Sequence, residues 1–295
     1  MEKEEIKKIE GGLKTKGRSK KVSSAEKPLV SIITIVYNGE RHLEQTIKSV
    51  LAQTYKNIEY IVVDGGSKDG SLDIVRRYED RIDYWMSEPD RGISDAMNKG
   101  VALATGDIVG MIHADDWFEP DAVETAVGAM KNYGCDVFCG SLRYFKDEKP
   151  FFTDRSKPEL LGSYMSVWHP TVFLKNEVYK KEGAFDLEFR SGMDYDLMLR
   201  LLTCGYKFAT VNKVISNMRT GGTSDQSWRR MLDEEYRIKV KNGVGRFRAA
   251  LAYYRKYPAY YLTDTAKKVL AALGLNFVVK LVKKIRNIMD ARFIK

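Results

Sequence analysis

The sequence predicts an α/β protein built on a mixed, mostly parallel sheet flanked by helices. Short apolar runs rich in β-branched residues alternate with amphipathic stretches from Leu29 to about Tyr144. Four of those runs end abruptly in polar or acidic clusters, as strands do when they deliver side chains to one edge of a sheet. At 295 residues and 44% hydrophobic, the chain can bury a large core.

Each element follows from its own residues. Leu29 to Val36 is a continuous apolar run and reads as a buried strand. Glu40 to Thr54 places Leu43, Ile47, Val50 and Leu51 on one helical face. Ile58 to Val63 is a second strand, closed by Asp64-Gly-Gly-Ser-Lys-Asp69-Gly. Ser71 to Tyr78 is a helix, Ile82 to Met86 a strand, and Ile93 to Ala104 a helix with Ile93, Ala96, Met97 and Val101 spaced for burial. Ile108 to Ile112 is a fourth strand and Pro120 to Asn132 a helix. Strands alternating with helices in this way indicate βαβ units. After Tyr144 the alternation fails, and Asp147 to Leu161, with two prolines and many charges, reads as a loop or subdomain crossing. A short strand at Thr171 to Leu174, a helix at Asp194 to Cys204 and a strand at Phe208 to Val214 follow. Arg219 to Ser224 reads as a flexible polar loop able to close over a ligand. From about Gln226 the sequence is helical, interrupted at Gly243, Gly245 and Pro258.

Charge divides the chain differently. The net charge is +9, from 49 basic and 40 acidic residues. Residues 1–27 hold nine basic and five acidic residues, and residues 239–295 hold fourteen basic and two acidic, which leaves −7 for residues 28–238. A nucleic-acid binder carries its positive stripe on the fold itself. Basic ends on an acidic body instead suit an anionic membrane surface, and no nucleic-acid partner is expected. Val278, Leu281, Val282, Ile285, Ile288 and Met289 recur at helical spacing among lysines, a pattern suited to an interfacial helix. Residues 1–27 lack a sustained apolar period and read as a mobile arm. The expected organisation is therefore an arm at 1–27, a folded α/β domain at 28–225 divided near residue 118, and a basic helical extension at 226–295. Three cysteines without a Cys-x-x-Cys pair argue against a disulfide framework or a zinc site. The N-terminus shows no signal-peptide pattern and the longest apolar stretch, Val269 to Val282, is too interrupted to span a membrane. A cytoplasmic protein on the inner face of the cytoplasmic membrane is expected.

The strand ends carry the chemistry. They are Tyr37-Asn38-Gly-Glu40, Asp64-Gly-Gly-Ser-Lys-Asp69, Glu88-Pro-Asp90-Arg91-Gly and His113-Ala-Asp115-Asp116. Acids placed together at a sheet edge suit a hard divalent cation that holds a diphosphate, and the competing reading is an acidic turn. In order and spacing the set resembles the nucleotide-sugar half of a family 2 inverting glycosyltransferase with the GT-A fold. The phrase Asp90-Arg-Gly-Ile-Ser-Asp95-Ala-Met-Asn98-Lys-Gly100 is similar to a bacterial subgroup that builds O-antigen and other surface polysaccharides.

That resemblance implies a nucleotide-sugar donor, UDP-linked by expectation, and a saccharide acceptor on a lipid carrier. It implies nucleotide contacts from Val36, Tyr37, Glu40, Asp64, Asp90, Asn98 and Lys99. Asp69 reads better as a turn cap, and Asp64 as a ligand for a base N–H. Asp115 matches the metal-binding acid of the family's Asp-x-Asp motif, and His113 stands where its first acid would be. Mn²⁺ or Mg²⁺ is the implied cofactor, with His113 better matched to Mn²⁺. Trp168 and His169 fall where the family shapes its acceptor pocket. In Met193-Asp194-Tyr-Asp196, two acids compete for the role of general base. Asp196 lies four residues before Arg200 and fits a surface ion pair, which favours Asp194 as the base. A nucleotidyltransferase would need a Gly-rich basic loop after the first strand, and Tyr37-Asn-Gly-Glu40 is not one. A non-enzymatic adaptor would explain the charge but not the ordered acids.

Overall fold

A computed structural model of the chain describes residues 8–19, 21–220 and 228–273. The chain divides into two compact units, Met1–Asp225 and Gln226–Lys295. In the first unit, β1 (Ile9–Gly11) precedes the fully buried β2 (Val30–Val36), then α1 (Glu40–Leu51), β3 (Ile58–Asp64), α2 (Ser71–Arg77), β4 (Tyr84–Ser87), α3 (Ile93–Leu103) and β5 (Ile108–His113). Strands β2, β3, β4 and β5 are mutually parallel, with β2 between β3 and β5. They therefore deliver their carboxyl ends, at Val36, Asp64, Ser87 and His113, to one edge. Continuous apolar runs made these strands legible because both faces are covered. Helix α1 turns Leu43, Ile47 and Val50 inward, all at most 2% exposed. Each such burial is worth roughly 1.5–3 kcal/mol before chain entropy is charged against it.

The second half of the sheet is mixed. It contains β6 (Trp117–Phe118), then after α4 (Ala122–Tyr133) the hairpin of β7 (Val137–Lys146) and β8 (Lys149–Arg155), and β9 (Phe173–Lys175). Helices α5 (Asn176–Glu182) and α6 (Met193–Thr203) lead to β10 (Phe208–Arg219). The ten-stranded sheet runs β1-β4-β3-β2-β5-β9-β7-β10-β6, with β8 paired to β7. β9 is antiparallel to both β5 and β7 and so joins the two halves. The second unit contains α7 (Trp228–Lys241) and α8 (Arg246–Ala272).

The structure departs from the sequence expectations at four places. Residues 147–161 are not simply a loop: Asp147 and Glu148, both at positive φ, close the β7–β8 hairpin. The strand begun at Phe208 runs on to Arg219, and residues 221–227 of the expected closing loop lie outside the described residues. Pro258 lies within α8 rather than ending it. The apolar-basic segment at 277–294 lies outside the described residues.

The fourth correction concerns the basic arm. β1 pairs antiparallel with β4, and the arm's lysines reach buried acids. Lys14 pairs with Glu59, which is 1% exposed, and Lys21 with Asp83, which is fully buried. Lys16 joins Glu79 and Asp80 at 2.8 and 2.9 Å. The described part of the arm is therefore tied to the sheet. Its partners are distant in sequence, so the segment looks solvated when read alone. Burial pushes the Glu59 carboxyl up, but bonds from Lys14, Ser31 and Thr105 outweigh burial and hold it below its ordinary value. Such a group stabilises the fold above an unfolded pKa near 4.5, and this is lost as pH falls through the lower folded value. Lys14→Met is therefore expected to cost about 1–2 kcal/mol at neutral pH, discounted for the partial exposure of Lys14. Urea unfolding at neutral pH and at about pH 3 checks this. The gap between wild type and variant should narrow in acid, and a gap independent of pH would show that the pair is not its source.

Candidate active site at the carboxyl edge

The first turn after β2 and the turn after β3 are laced together. Asn38 N–H donates to Ser67 Oγ at 2.8 Å, and Asn38 Oδ1 accepts from Lys68 N–H at 2.8 Å. Glu40 N–H donates to Asp69 Oδ2 at 3.0 Å, and Glu40 Oε2 accepts from Gly70 N–H at 2.6 Å. Asp69 also accepts from Ser71 N–H and so caps its turn, as its sequence context indicates.

Asp64 is placed differently from its expected role. It is 1% exposed, and its carboxylate accepts from Gly66 N–H, Ser67 N–H, Ser67 Oγ and Ser87 Oγ. The side chain builds the turn instead of presenting a free acceptor. The Val36 carbonyl likewise accepts from Gly65 N–H at 2.9 Å. The open surface belongs to Tyr37 and Asp90. Tyr37 is 63% exposed, and its ring and the Asp90 carboxylate both border Gly65. A Cβ on Gly65 would run into the Asp90 carboxylate, so a side chain here would push Asp90 aside. Burial raises the Asp90 carboxyl above its ordinary value, against a bond from Gly92 N–H. An exposed ring beside a partly desolvated carboxyl can stack on a base and accept from it.

Asn98 and Lys99 do not face this surface. Lys99 Nζ pairs with Glu88 at 2.7 Å and donates to the Pro89 carbonyl at 3.0 Å, pinning the loop that carries Asp90. Asn98 Oδ1 accepts from Phe185 N–H, and Asn98 Nδ2 donates to the Phe185 carbonyl, both at 2.8 Å. An amide paired in this way with one residue's backbone is a structural clamp. Ser94 of the same helix donates to the Phe189 carbonyl at 3.3 Å. Helix α3 thus holds both the Asp90 loop and the segment that opens α6.

Asp194 lies in the first turn of α6, half-buried, and accepts from Tyr195 N–H at 2.8 Å. Asp196 is fully buried, with Arg200 Nη2 3.6 Å from Oδ2. The expected ion pair exists, but it is interior, not a surface pair. Arg200 also donates to the carbonyls of Glu182, Gly183 and Ala184, so the pair organises the approach to α6.

The β5 end gathers His113, Asp115 and Asp116. His169 is 7% exposed, its ring 5.6 Å from both His113 and Phe185. Burial, reinforced by His113, pushes the His169 imidazole down to about 3, so it is neutral at physiological pH. Burial also lowers His113, opposed by Asp115. His169 therefore packs between the β5 end and Phe185 instead of lining an open pocket. Trp168 is half-buried, and its ring meets Tyr144 edge-on at 5.6 Å.

Arg219, which sequence reasoning placed only at the start of a loop, is a hub. Its Nη1 donates to the Asp115 carbonyl at 2.7 Å and Nη2 to Gln45 Oε1 at 2.6 Å. It pairs with Glu148 at 2.8 Å and lies over the Trp117 ring at 4.6 Å. Phe185 was also missed, because backbone hydrogen bonds leave no mark in the sequence.

The groups at the β5 end fit a divalent ion only in part without added ligands. Among the described residues no three His, Cys, Asp or Glu side chains form a ready-made cage. Two buried atoms near Asp115, His113 Nε2 and Asp116 Oδ1, have no hydrogen-bond partner. Burial, and Asp115 after it, raise the Asp116 carboxyl well above its ordinary value, which leaves the Asp115 carboxylate as the anionic donor. One or two protein ligands, completed by phosphate oxygens and water, is a usual mode for Mg²⁺. A neutral imidazole beside the carboxylate extends the fit to Mn²⁺.

The glycosyl transferase family 2 profile matches residues 31–198. An uncharacterized glycosyltransferase of Mycobacterium tuberculosis is 36% identical over 207 residues, 66% of this chain and 76% of that protein. One of Rickettsia typhi is 28% identical over 286 residues, 86% of this chain and 89% of the relative. Two solved structures share the fold. S. aureus TarS in complex with UDP-GlcNAc has a TM-score of 0.62 at 15% identity, covering 76% of this chain and 70% of that one. The mannosyltransferase PcManGT from Pyrobaculum calidifontis, in complex with GDP-Man and Mn²⁺, has a TM-score of 0.59 at 18% identity, covering 94% and 92%.

Proposed function

The chain belongs to glycosyl transferase family 2, and we propose that it transfers a sugar from a UDP-sugar, with inversion, to a hydroxyl of a lipid-linked saccharide acceptor in bacterial surface-polysaccharide synthesis. The observation that carries this reading is the convergence at one sheet edge. Tyr37 and Asp90 offer a nucleotide surface, Asp115 lies at the adjacent strand end, and α3 ties the Asp90 loop to the start of α6, where Asp194 lies. Asp194 takes a proton from the acceptor hydroxyl as that oxygen attacks C1 of the sugar. The C1–oxygen bond to the diphosphate breaks, and its electron pair leaves with the diphosphate. Attack from the opposite face inverts the anomeric centre. Asp115, with His113 beside it, would hold a divalent ion whose Lewis acidity neutralises charge on the departing diphosphate.

TarS, in complex with UDP-GlcNAc, and PcManGT, in complex with GDP-Man, have the same fold and support a nucleotide-sugar donor. No helix among the described residues is long and apolar enough to cross a membrane. The basic, apolar-striped sequence at 277–294 supports contact with an anionic cytoplasmic membrane surface. The test is a panel of nucleotide sugars scored for nucleoside diphosphate release, with and without lipid-linked saccharide acceptors. Acceptor-dependent release from one UDP-sugar is expected, and release from none would overturn the reading. Co-sedimentation of the full chain with anionic but not neutral liposomes is expected alongside, and no sedimentation would remove the membrane from it.

A further inference from the structure

We propose that the β7–β8 hairpin carries a platform on which a pyranose ring of the acceptor stacks, formed by Phe152 with Phe151, on the support of Tyr144 and Trp168. The proposal rests on the glycosyl-transfer reading and narrows it, because it assigns sugar recognition on the acceptor side to a particular surface.

Three observations carry it. First, among the described residues β8 pairs only with β7, yet it exposes two adjacent aromatic residues, Phe151 at 55% and Phe152 at 41%. Exposed apolar side chains on an edge strand invite aggregation and are normally avoided. Second, the register shifts so that Tyr144 faces Phe152 while Phe145 faces Pro150, which leaves Phe151 as a bulged residue. A bulge re-aims a side chain. Here it brings the Phe151 ring edge-on to Phe152, with centroids 5.8 Å apart. Third, Phe152 lies flat on Tyr144, with centroids 4.4 Å apart and planes at 2°. Tyr144 is in turn braced by the edge of Trp168. Tyr144 therefore covers one face of Phe152, while 41% of the residue stays exposed to solvent. The electron-rich face of an aromatic ring attracts the C–H groups of a sugar face, and the sugar hydroxyls remain in water. Trp168 Nε1 is buried without a hydrogen-bond partner, so a donor is still unused beside the platform.

The hairpin is keyed to the candidate active site. Glu148 in its turn binds Arg219, which also holds the Asp115 carbonyl. A platform fixed to the Asp115 loop suits an acceptor better than an unrelated ligand. Strand pairing with a second copy is the rival occupant. Pro150 removes an edge N–H, Lys146 and Lys149 flank the turn, and the bulge breaks the edge, all of which oppose such pairing.

The test is saturation-transfer NMR on the full chain with UDP present. The probes are methyl glucoside, methyl galactoside, methyl mannoside, lactose, maltose and cellobiose. Transfer to ring C–H protons of at least one saccharide is expected. Phe152→Leu, which keeps apolar bulk but loses the flat face, should weaken that saccharide about three- to tenfold. Phe152→Tyr should retain it, and UDP affinity should be equal in all three proteins. No saccharide contact with wild type, or contact unchanged by Phe152→Leu, would overturn the proposal. A wild-type dimer in sedimentation that Phe152→Leu dissociates would also overturn it and assign the platform to a contact between copies. Saccharide contact without UDP binding would support the platform and place the failure in the donor reading.

Discussion

Asp194→Asn is expected to lower sugar transfer by about 10²–10⁴ while leaving the fold and UDP affinity unchanged. The substitution keeps the shape of the side chain and its capacity to accept from Tyr195 N–H. It removes the negative charge and with it the ability to take a proton. Steady-state rates and isothermal titration with UDP, measured on the same preparation, separate the two effects. Asp196→Asn makes an informative comparison. Asp196 is fully buried beside Arg200, whose guanidinium gathers the Glu182, Gly183 and Ala184 carbonyls. Loss of its charge should lower the thermal midpoint by several degrees, because it leaves the partly buried Arg200 guanidinium less well paired. The sequence alone suggested a surface pair worth a few tenths of a kcal/mol. A dead, normally stable Asp196→Asn together with an active Asp194→Asn would reverse the assignment.

What was legible in the sequence followed from burial on two faces. Strands β2, β3 and β5 are continuous apolar runs because helices cover both sides, and their ends fell within a residue or two of the expected positions. β8 was illegible because Pro150, the bulge at Phe151 and exposure along its length destroy any period-two signal. The candidate site residues divided along similar lines. Positions at strand ends were found because an acid after an apolar run is conspicuous. Their orientations were not found, since a residue on the correct helix can turn either way. Asn98 turned towards Phe185 and Lys99 towards Glu88. Arg219 and Phe185 act through backbone groups, Arg219 on the Asp115 carbonyl and Phe185 towards Asn98, and such contacts are independent of the partner's side-chain type. The basic arm was misread for a related reason, because the acids that hold it lie on β3 and just before β4.

Asp115→Asn is expected to reduce transfer by about 10³ and to abolish the enhancement of nucleotide affinity by Mn²⁺. Arg219 holds the backbone carbonyl of Asp115, not its carboxylate, so the loop keeps its anchor to Arg219, Gln45 and the Trp117 ring. Folding should therefore be unchanged, and a thermal midpoint within a degree or two of wild type checks it. What is lost is the anionic donor of the set. Asp116 does not replace it, because burial, the larger of the two causes that raise its carboxyl, persists when the Asp115 charge is gone. His113 supplies a neutral nitrogen and no charge. With the carboxylate gone, a divalent ion would depend on the diphosphate and the uncharged His113 nitrogen. UDP titrations with and without Mn²⁺ should differ for wild type and coincide for Asp115→Asn. EDTA should bring wild-type transfer down to the level of the variant, with Mn²⁺ or Mg²⁺ restoring it. Full wild-type transfer in chelator would reject the metal and move leaving-group stabilisation to the basic side chains near the edge. The first to substitute would then be Arg219, with Arg219→Gln predicted to fall furthest.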